Sequence, residues 1–176
     1  MKKIVIIGPE STGKSTLSAQ LAAHYQTVWV PEFARGYLET LGRPYEQEDL
    51  LRIAEGQLQL EDEQAAKAER LMICDTDLQV IKVWSEAKYG DCDPRILELI
   101  ASRQYDMYLL TYIDIAWEDD PLREHPLPEE RMHFYMVYRD IVVNAGLPWA
   151  DIRGGYAQRL QTAIEAIDEL LKGNQE

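Results

Sequence analysis

The chain has 176 residues, the length of one domain, with 46% hydrophobic and 28% charged residues, the balance of a globular protein. Lys and Arg total 18 against 31 Asp and Glu, a formal net charge of −13. That balance argues against a nucleic-acid binder and against anionic membranes, but not against a phosphorylated small ligand held at a local basic site. No apolar run approaches the ~18 residues of a membrane span. With only Cys74 and Cys92, and His24, His125 and His133 scattered, neither a disulfide framework nor a zinc site is expected. A reducing, cytoplasmic setting fits.

Residues 2–7 form a β-branched apolar run stopped by Gly8, which predicts a buried strand. Leu17, Leu21 and Ala22 recur at helical spacing and predict a helix over 14–25. A second strand is expected over 27–30, closed by Pro31. A long polar helix follows over 45–70, with Gly56 as a weak point in its middle. LMIC (71–74) reads as a third buried strand ended by Asp75. A helix over 77–88 has Asp77 as a candidate cap and Gly90 as a stop, and another over 94–103 starts on a proline. A fourth strand spans 105–111. Residues 116–130 are acidic, carry Pro121, Pro126 and Pro128, and predict a long loop. A helix over 131–144, a short strand over 149–152 and a last helix over 156–171 complete the chain. Strands alternate with helices, so the sheet is expected to be parallel with helices on both faces.

Residues 8–15 read GPESTGKS, a full match to the phosphate-binding pattern G-x-x-x-x-G-K-[ST]. Gly8 and Gly13 let the chain wrap so that the amides of Glu10, Ser11, Thr12 and their neighbours face phosphate oxygens. Lys14 supplies a point charge, Ser15 a hydroxyl for Mg²⁺, and the helix that continues through Thr16 its positive end. Asp75, at a strand end, suits a carboxylate that holds Mg²⁺ beside the phosphate turn. Asp77 reads either as a substrate contact or as a helix cap. Glu32 and Arg35 in PEFAR emerge at the rim where ligands meet a parallel sheet. There a carboxylate can take a proton from a hydroxyl and an arginine can orient substrate. A surface ion pair on a helix start is the plainer alternative. Arg123 and Arg131 suit a lid over about 114–131, with solvated ion pairs as the rival. Trp84 reads either as a stacking face or as core packing with Ile81.

The segments GPESTGKSTL, VPEFARGYLE, IAEGQLQLE, CDTDLQVIKVWSEAKYG, YDMYLLTYIDIAWEDDPLRE and IRGGYAQRL occur in this order across nearly the whole chain. Together they resemble the NadR-type ribosylnicotinamide kinases. The resemblance implies a single α/β P-loop kinase domain over residues 1–176, with parallel strand order 2-3-1-4-5. It also implies ATP- and Mg²⁺-dependent phosphorylation of the nicotinamide riboside 5′-hydroxyl, giving nicotinamide mononucleotide. In that family the kinase unit often follows a nucleotidyltransferase with a His-x-Gly-His-like motif. No such motif occurs here, so adenylylation by that route is not expected. The lid departs from the family at Pro121 and at HPLP (125–128).

On this reading Lys14, Glu32 and Arg123 are catalytic, with Glu32 the general base. Ser15 and Asp75 hold the metal. Gly154, Gly155 and Arg159 sit near adenine, and Glu32, Arg35, Asp77 and Trp84 contact the acceptor. The carboxylates of Glu32 and Asp77 favour a neutral or cationic nucleoside over a nucleotide. A kinase with another nucleoside or nucleotide acceptor, and an ATP-binding regulatory module without turnover, are the alternatives.

Overall fold

The computed structural model describes residues 1–173. Five parallel strands form one sheet: β1 (Lys2–Ile7), β2 (Trp29–Val30), β3 (Leu71–Asp75), β4 (Met107–Thr111) and β5 (Trp149–Ile152), in the order β2-β3-β1-β4-β5. This is the expected P-loop order. β1 lies at the centre, with Val5 opposite Cys74 on one side and Tyr108 on the other.

Strand alternation sends β1 side chains to opposite faces. Ile4 and Ile6 pack with Leu17 and Leu21 of α1 (Lys14–Tyr25) and with Ala163 and Ile167 of α7 (Tyr156–Lys172). Val5 and Ile7 pack with Val80 and Val83 of α4 (Leu78–Tyr89) and with Tyr135, Tyr138 and Val142 of α6 (Pro128–Asn144). A third cluster joins α2 (Phe33–Leu41), α3 (Gln47–Ala65), α4 and α5 (Pro94–Ala101) around Leu50, Ile53 and Ile96.

The differences from the sequence expectations have local causes. Helix α2 was not assigned from the sequence, although a helix start near Arg35 was weighed. It is short, has Gly36 near its middle, and ends at Gly42 in the left-handed region. Helix α3 is shorter than 45–70 because residues 66–68 turn back with amides bonded to Asp62, Gln64 and Ala65 carbonyls. Gly56 is no weak point: a Cβ there would sit 2.3 Å from the Phe33 ring, so the glycine admits the aromatic side chain. At the sheet edge, Thr27 bonds the Leu71 carbonyl through its hydroxyl at 2.6 Å, and β2 proper begins only at Trp29. Helix α6 starts three residues early, on Pro128, because Glu130 reaches back to the Leu127 amide at 3.3 Å.

Candidate active site

The phosphate loop runs from the end of β1 into α1. Gly8 passes so close to β4 that a Cβ would lie 2.2 Å from the Thr111 hydroxyl oxygen. The Thr12 hydroxyl shares a 2.7 Å hydrogen bond with that hydroxyl and lies 2.7 Å from the Pro9 carbonyl oxygen. Gly13 takes φ +76° and hands the chain to α1. Gly8, Glu10, Ser11, Thr12, Gly13, Lys14, Ser15 and Thr16 all face one cleft of about 960 Å³, open mouth included. The cleft stands at the carboxyl edge of the sheet, where parallel folds bind ligands.

Lys14 donates to the Pro9 carbonyl at 2.7 Å. Burial holds its ammonium below the usual lysine value, against the pull of Glu32, Asp75 and Glu10. A phosphate anion placed here would add to these carboxylates and favour the charged ammonium further. Ser15 donates to Asp75 Oδ2 at 2.5 Å, while Asp75 Oδ1 is buried without a hydrogen-bond partner. Burial raises the Asp75 carboxyl, and the Ser15 bond and Lys14 oppose the rise. An orphaned carboxylate oxygen beside a hydroxyl is a hard-oxygen pair that fits Mg²⁺, which takes one or two protein ligands together with substrate phosphates.

Glu32 and Arg35 line the same cleft. Gln57, 4% exposed on α3, holds the chain on both sides of Glu32: Oε1 accepts from the Phe33 amide at 2.7 Å, and Nε2 donates to the Pro31 carbonyl at 3.3 Å. Sequence reading passed over Gln57, though a lone amide on an apolar helix side was a signal. Burial raises the Glu32 carboxyl, with Lys14 opposing; a carboxylate so shifted is the stronger base. Arg35 does make ion pairs, with Asp120 at 3.0 Å and Glu39 at 3.5 Å, while still facing the cleft.

The lid lies across the phosphate loop. Glu10 accepts from the Glu124 and His125 amides at 3.1 Å each. The Ser11 hydroxyl accepts from the Glu118 amide at 3.0 Å and from Arg123 at 3.3 Å. Arg123 faces the cleft, whereas Arg131 is 8% exposed and donates to the Ser11 and Ile115 carbonyls.

A second pocket adjoins the first and shares Glu10, Leu38, Trp84, Leu122 and Tyr138 with it. Tyr45, Phe134, Lys88, Glu124, His125 and Arg131 are among its other walls. Trp84 both lines these pockets and packs against the core. Sequence reading missed Tyr45, Phe134, Tyr138 and Lys88, which arrive from separate parts of the chain.

The expected contacts at Asp77, Arg159, Gly154 and Gly155 are corrected by the geometry. Asp77 is not in the cleft: it is 3% exposed, caps α4 by accepting from Gln79 at 3.0 Å, and accepts from the Tyr108 hydroxyl at 2.7 Å. Burial pushes its carboxyl up to about 6. Arg159 is 2% exposed and spends its guanidinium on the Gly154, Thr12 and Tyr112 carbonyls and on Asp114. It braces the phosphate loop from behind and has no edge turned to the cleft. Gly154 and Gly155 stand outside the lining; their neighbour Tyr156 is the residue that faces in.

Among the described residues no helix is long and apolar enough to cross a membrane. The trifunctional NAD biosynthesis/regulator protein NadR of Salmonella typhimurium is 24% identical over 178 residues, covering 97% of this chain and 43% of that protein. NadR of Escherichia coli gives the same figures. The chain thus spans less than half the length of these relatives. Among solved structures, a NadR protein in complex with NR matches with TM-score 0.80 at 24% identity, over 96% of this chain and 49% of that one. Deoxyadenosine kinase from M. mycoides with bound dATP matches with TM-score 0.63 at 15% identity, over 96% and 100% of the two chains. A family model described as an AAA domain matches residues 3–159, from β1 and its phosphate loop through to Arg159. The chain belongs to the AAA domain family.

Proposed function

We propose that the protein is an ATP-dependent nucleoside kinase that phosphorylates the 5′-hydroxyl of nicotinamide riboside to nicotinamide mononucleotide. The observation that carries this reading is the continuity of the two pockets. Lys14, Ser15 and Glu32 line the first, and aromatic walls open directly beside them in the second. A phosphoryl donor and a flat nucleoside base can therefore lie end to end with Glu32 near the junction.

The loop amides and Lys14 bind the triphosphate. Ser15 and Asp75 would hold Mg²⁺, which when bound neutralises charge on the β- and γ-phosphates. Glu32 takes the proton of the 5′-hydroxyl as its oxygen bonds to the γ-phosphorus. The bond from that phosphorus to the β,γ-bridging oxygen breaks and ADP leaves. Arg123, bonded to Ser11 in the closed lid, adds positive charge over the transferring group.

The choice of nicotinamide riboside rests on the second pocket and on the likeness to NadR. Trp84, Tyr45, Phe134 and Tyr138 offer faces to a planar ring. Glu10 and Glu124 face the same space, offset in part by Lys88 and Arg131. The carboxylates expected to favour a cationic nucleoside were Glu32 and Asp77; on this reading Glu10 and Glu124 take over Asp77's part beside the base.

A coupled ADP-release assay over a panel of nucleosides and nucleoside monophosphates tests the reading. Nicotinamide riboside should turn over fastest, and Lys14→Ala should lower the rate at least about a hundredfold with an unchanged circular dichroism spectrum. Turnover of a monophosphate with none of nicotinamide riboside would overturn the acceptor assignment. Full activity in folded Lys14→Ala would overturn the kinase itself.

A further inference from the structure

Between the carboxylate at the metal position and the cap of α4 lies a single residue in an unusual conformation. Thr76 has φ +69°, a region that β-branched residues avoid, and it is 4% exposed. Its amide donates to the Ile6 carbonyl at 2.9 Å, which ties the turn to β1. On its other side Asp77 is tied twice, to the Gln79 amide and to the Tyr108 hydroxyl on β4. The turn is therefore clamped between two neighbouring strands while its central residue resists the shape it is given. Strain of this kind persists only where the surroundings over-determine it.

We infer that Asp77 and Tyr108 are positioning residues for Asp75, acting through the strained turn at Thr76. If the tether to Tyr108 is cut, Thr76 relaxes toward negative φ, and the peptide joining it to Asp75 rotates. The Asp75 carboxylate, whose Oδ2 accepts from Ser15 while its Oδ1 is buried and unpartnered, then swings out of line with the Ser15 hydroxyl. The inference gives the Asp77 carboxylate, buried beside the Tyr108 hydroxyl, a part beyond capping α4. It rests on the assignment of Ser15 and Asp75 to the metal and is independent of which nucleoside is the acceptor.

The test is Mn²⁺ titration, read by electron paramagnetic resonance, on full-length protein saturated with a non-hydrolysable ATP analogue. Tyr108→Phe removes the tether and leaves the helix cap. It should weaken Mn²⁺ binding about tenfold, the low end of the range for residues that orient a metal ligand, with analogue affinity in EDTA unchanged. Asp77→Ser, which keeps a cap but is too short to reach Tyr108, should do the same. Thr76→Gly removes the strain, because glycine adopts positive φ freely. Added to Tyr108→Phe, it should restore Mn²⁺ affinity to within about twofold of wild type. Unchanged Mn²⁺ affinity in Tyr108→Phe and Asp77→Ser, even with a lowered melting temperature, would make the pair merely structural and overturn the proposal. A loss that Thr76→Gly fails to restore would also overturn it. Wild-type protein that binds no Mn²⁺ would sink the metal assignment and the proposal together, whichever nucleoside proves to be the acceptor.

Discussion

Behind the phosphate loop, the contacts are sealed from solvent: Arg159 at 2% exposure grips the Thr12 carbonyl, and the Thr12 and Thr111 hydroxyls meet in the core. In front of it, most of the lid's hold is exposed: bonds from the Glu118 and Glu124 amides and the Arg35–Asp120 pair, whose arginine is 44% exposed, with Arg131 at 8% exposure a buried tie among them. Buried charged contacts are costly to break, whereas exposed ones exchange readily with water. The same loop is thus rigid toward the sheet and releasable toward the lid. That division suits a site that must keep its phosphate cradle shaped while admitting and discharging ligands.

The sharpest way to break the contrast is from behind. Arg159→Lys keeps the charge but cannot reproduce the fork that reaches three carbonyls and Asp114. The expected loss is on the order of 3 kcal/mol, or a melting temperature lower by roughly 6–12 °C for a chain of this size. Nucleotide-analogue affinity should fall with it, because the Thr12 carbonyl loses its anchor. A thermal melt and an analogue titration check both halves; a normal melt with weakened nucleotide binding would mean that Arg159 contacts the ligand after all.

A middle case lies at Glu32, which is positioned by a buried residue and yet faces the cleft. Gln57→Leu should preserve most of the core packing while freeing the chain around Glu32. We expect kcat to fall about tenfold, less than the roughly 10²–10⁴-fold that a general base contributes because Glu32 is displaced and not removed, with the ATP KM unchanged. Equal losses in kcat and in stability would show that Gln57 serves the fold alone.

The smallest effect belongs to the front. Asp120→Asn removes one exposed lid contact, worth about 0.2–1 kcal/mol. Turnover should change by no more than about fivefold, the melting temperature should hold, and the salt dependence of the rate should flatten. A drop in melting temperature matching that of Arg159→Lys would erase the distinction between the two sides.

Much of the frame was legible. The unbroken β-branched run Ile4, Val5, Ile6 and Ile7 announced a buried strand, and GPESTGKS announced the turn that follows. The cap at Asp77 was visible as one of two readings, because capping is local. What escaped is what depends on distant parts of the chain meeting. Arg159 lies 147 positions from its partner Thr12, so nothing near it in sequence betrays its burial. Gly56 looked like a flaw because the Phe33 ring that occupies its missing side chain comes from another helix. The second pocket draws Tyr45, Trp84 and Phe134 from three widely spaced segments, and no window of sequence holds them together.

The lid has a consequence for how this protein tolerates change. Its bonds to Glu10 and Ser11 run largely through main-chain amides at positions 118, 124 and 125. An amide is supplied by every residue type except proline. At those three positions the bond to the phosphate loop survives any substitution except proline, whatever else the side chain does. The loop's own prolines, at 121, 126 and 128, fall at none of the three. The main-chain part of the lid's hold thus depends on where proline is placed, and the side-chain part on Arg123 and Arg131.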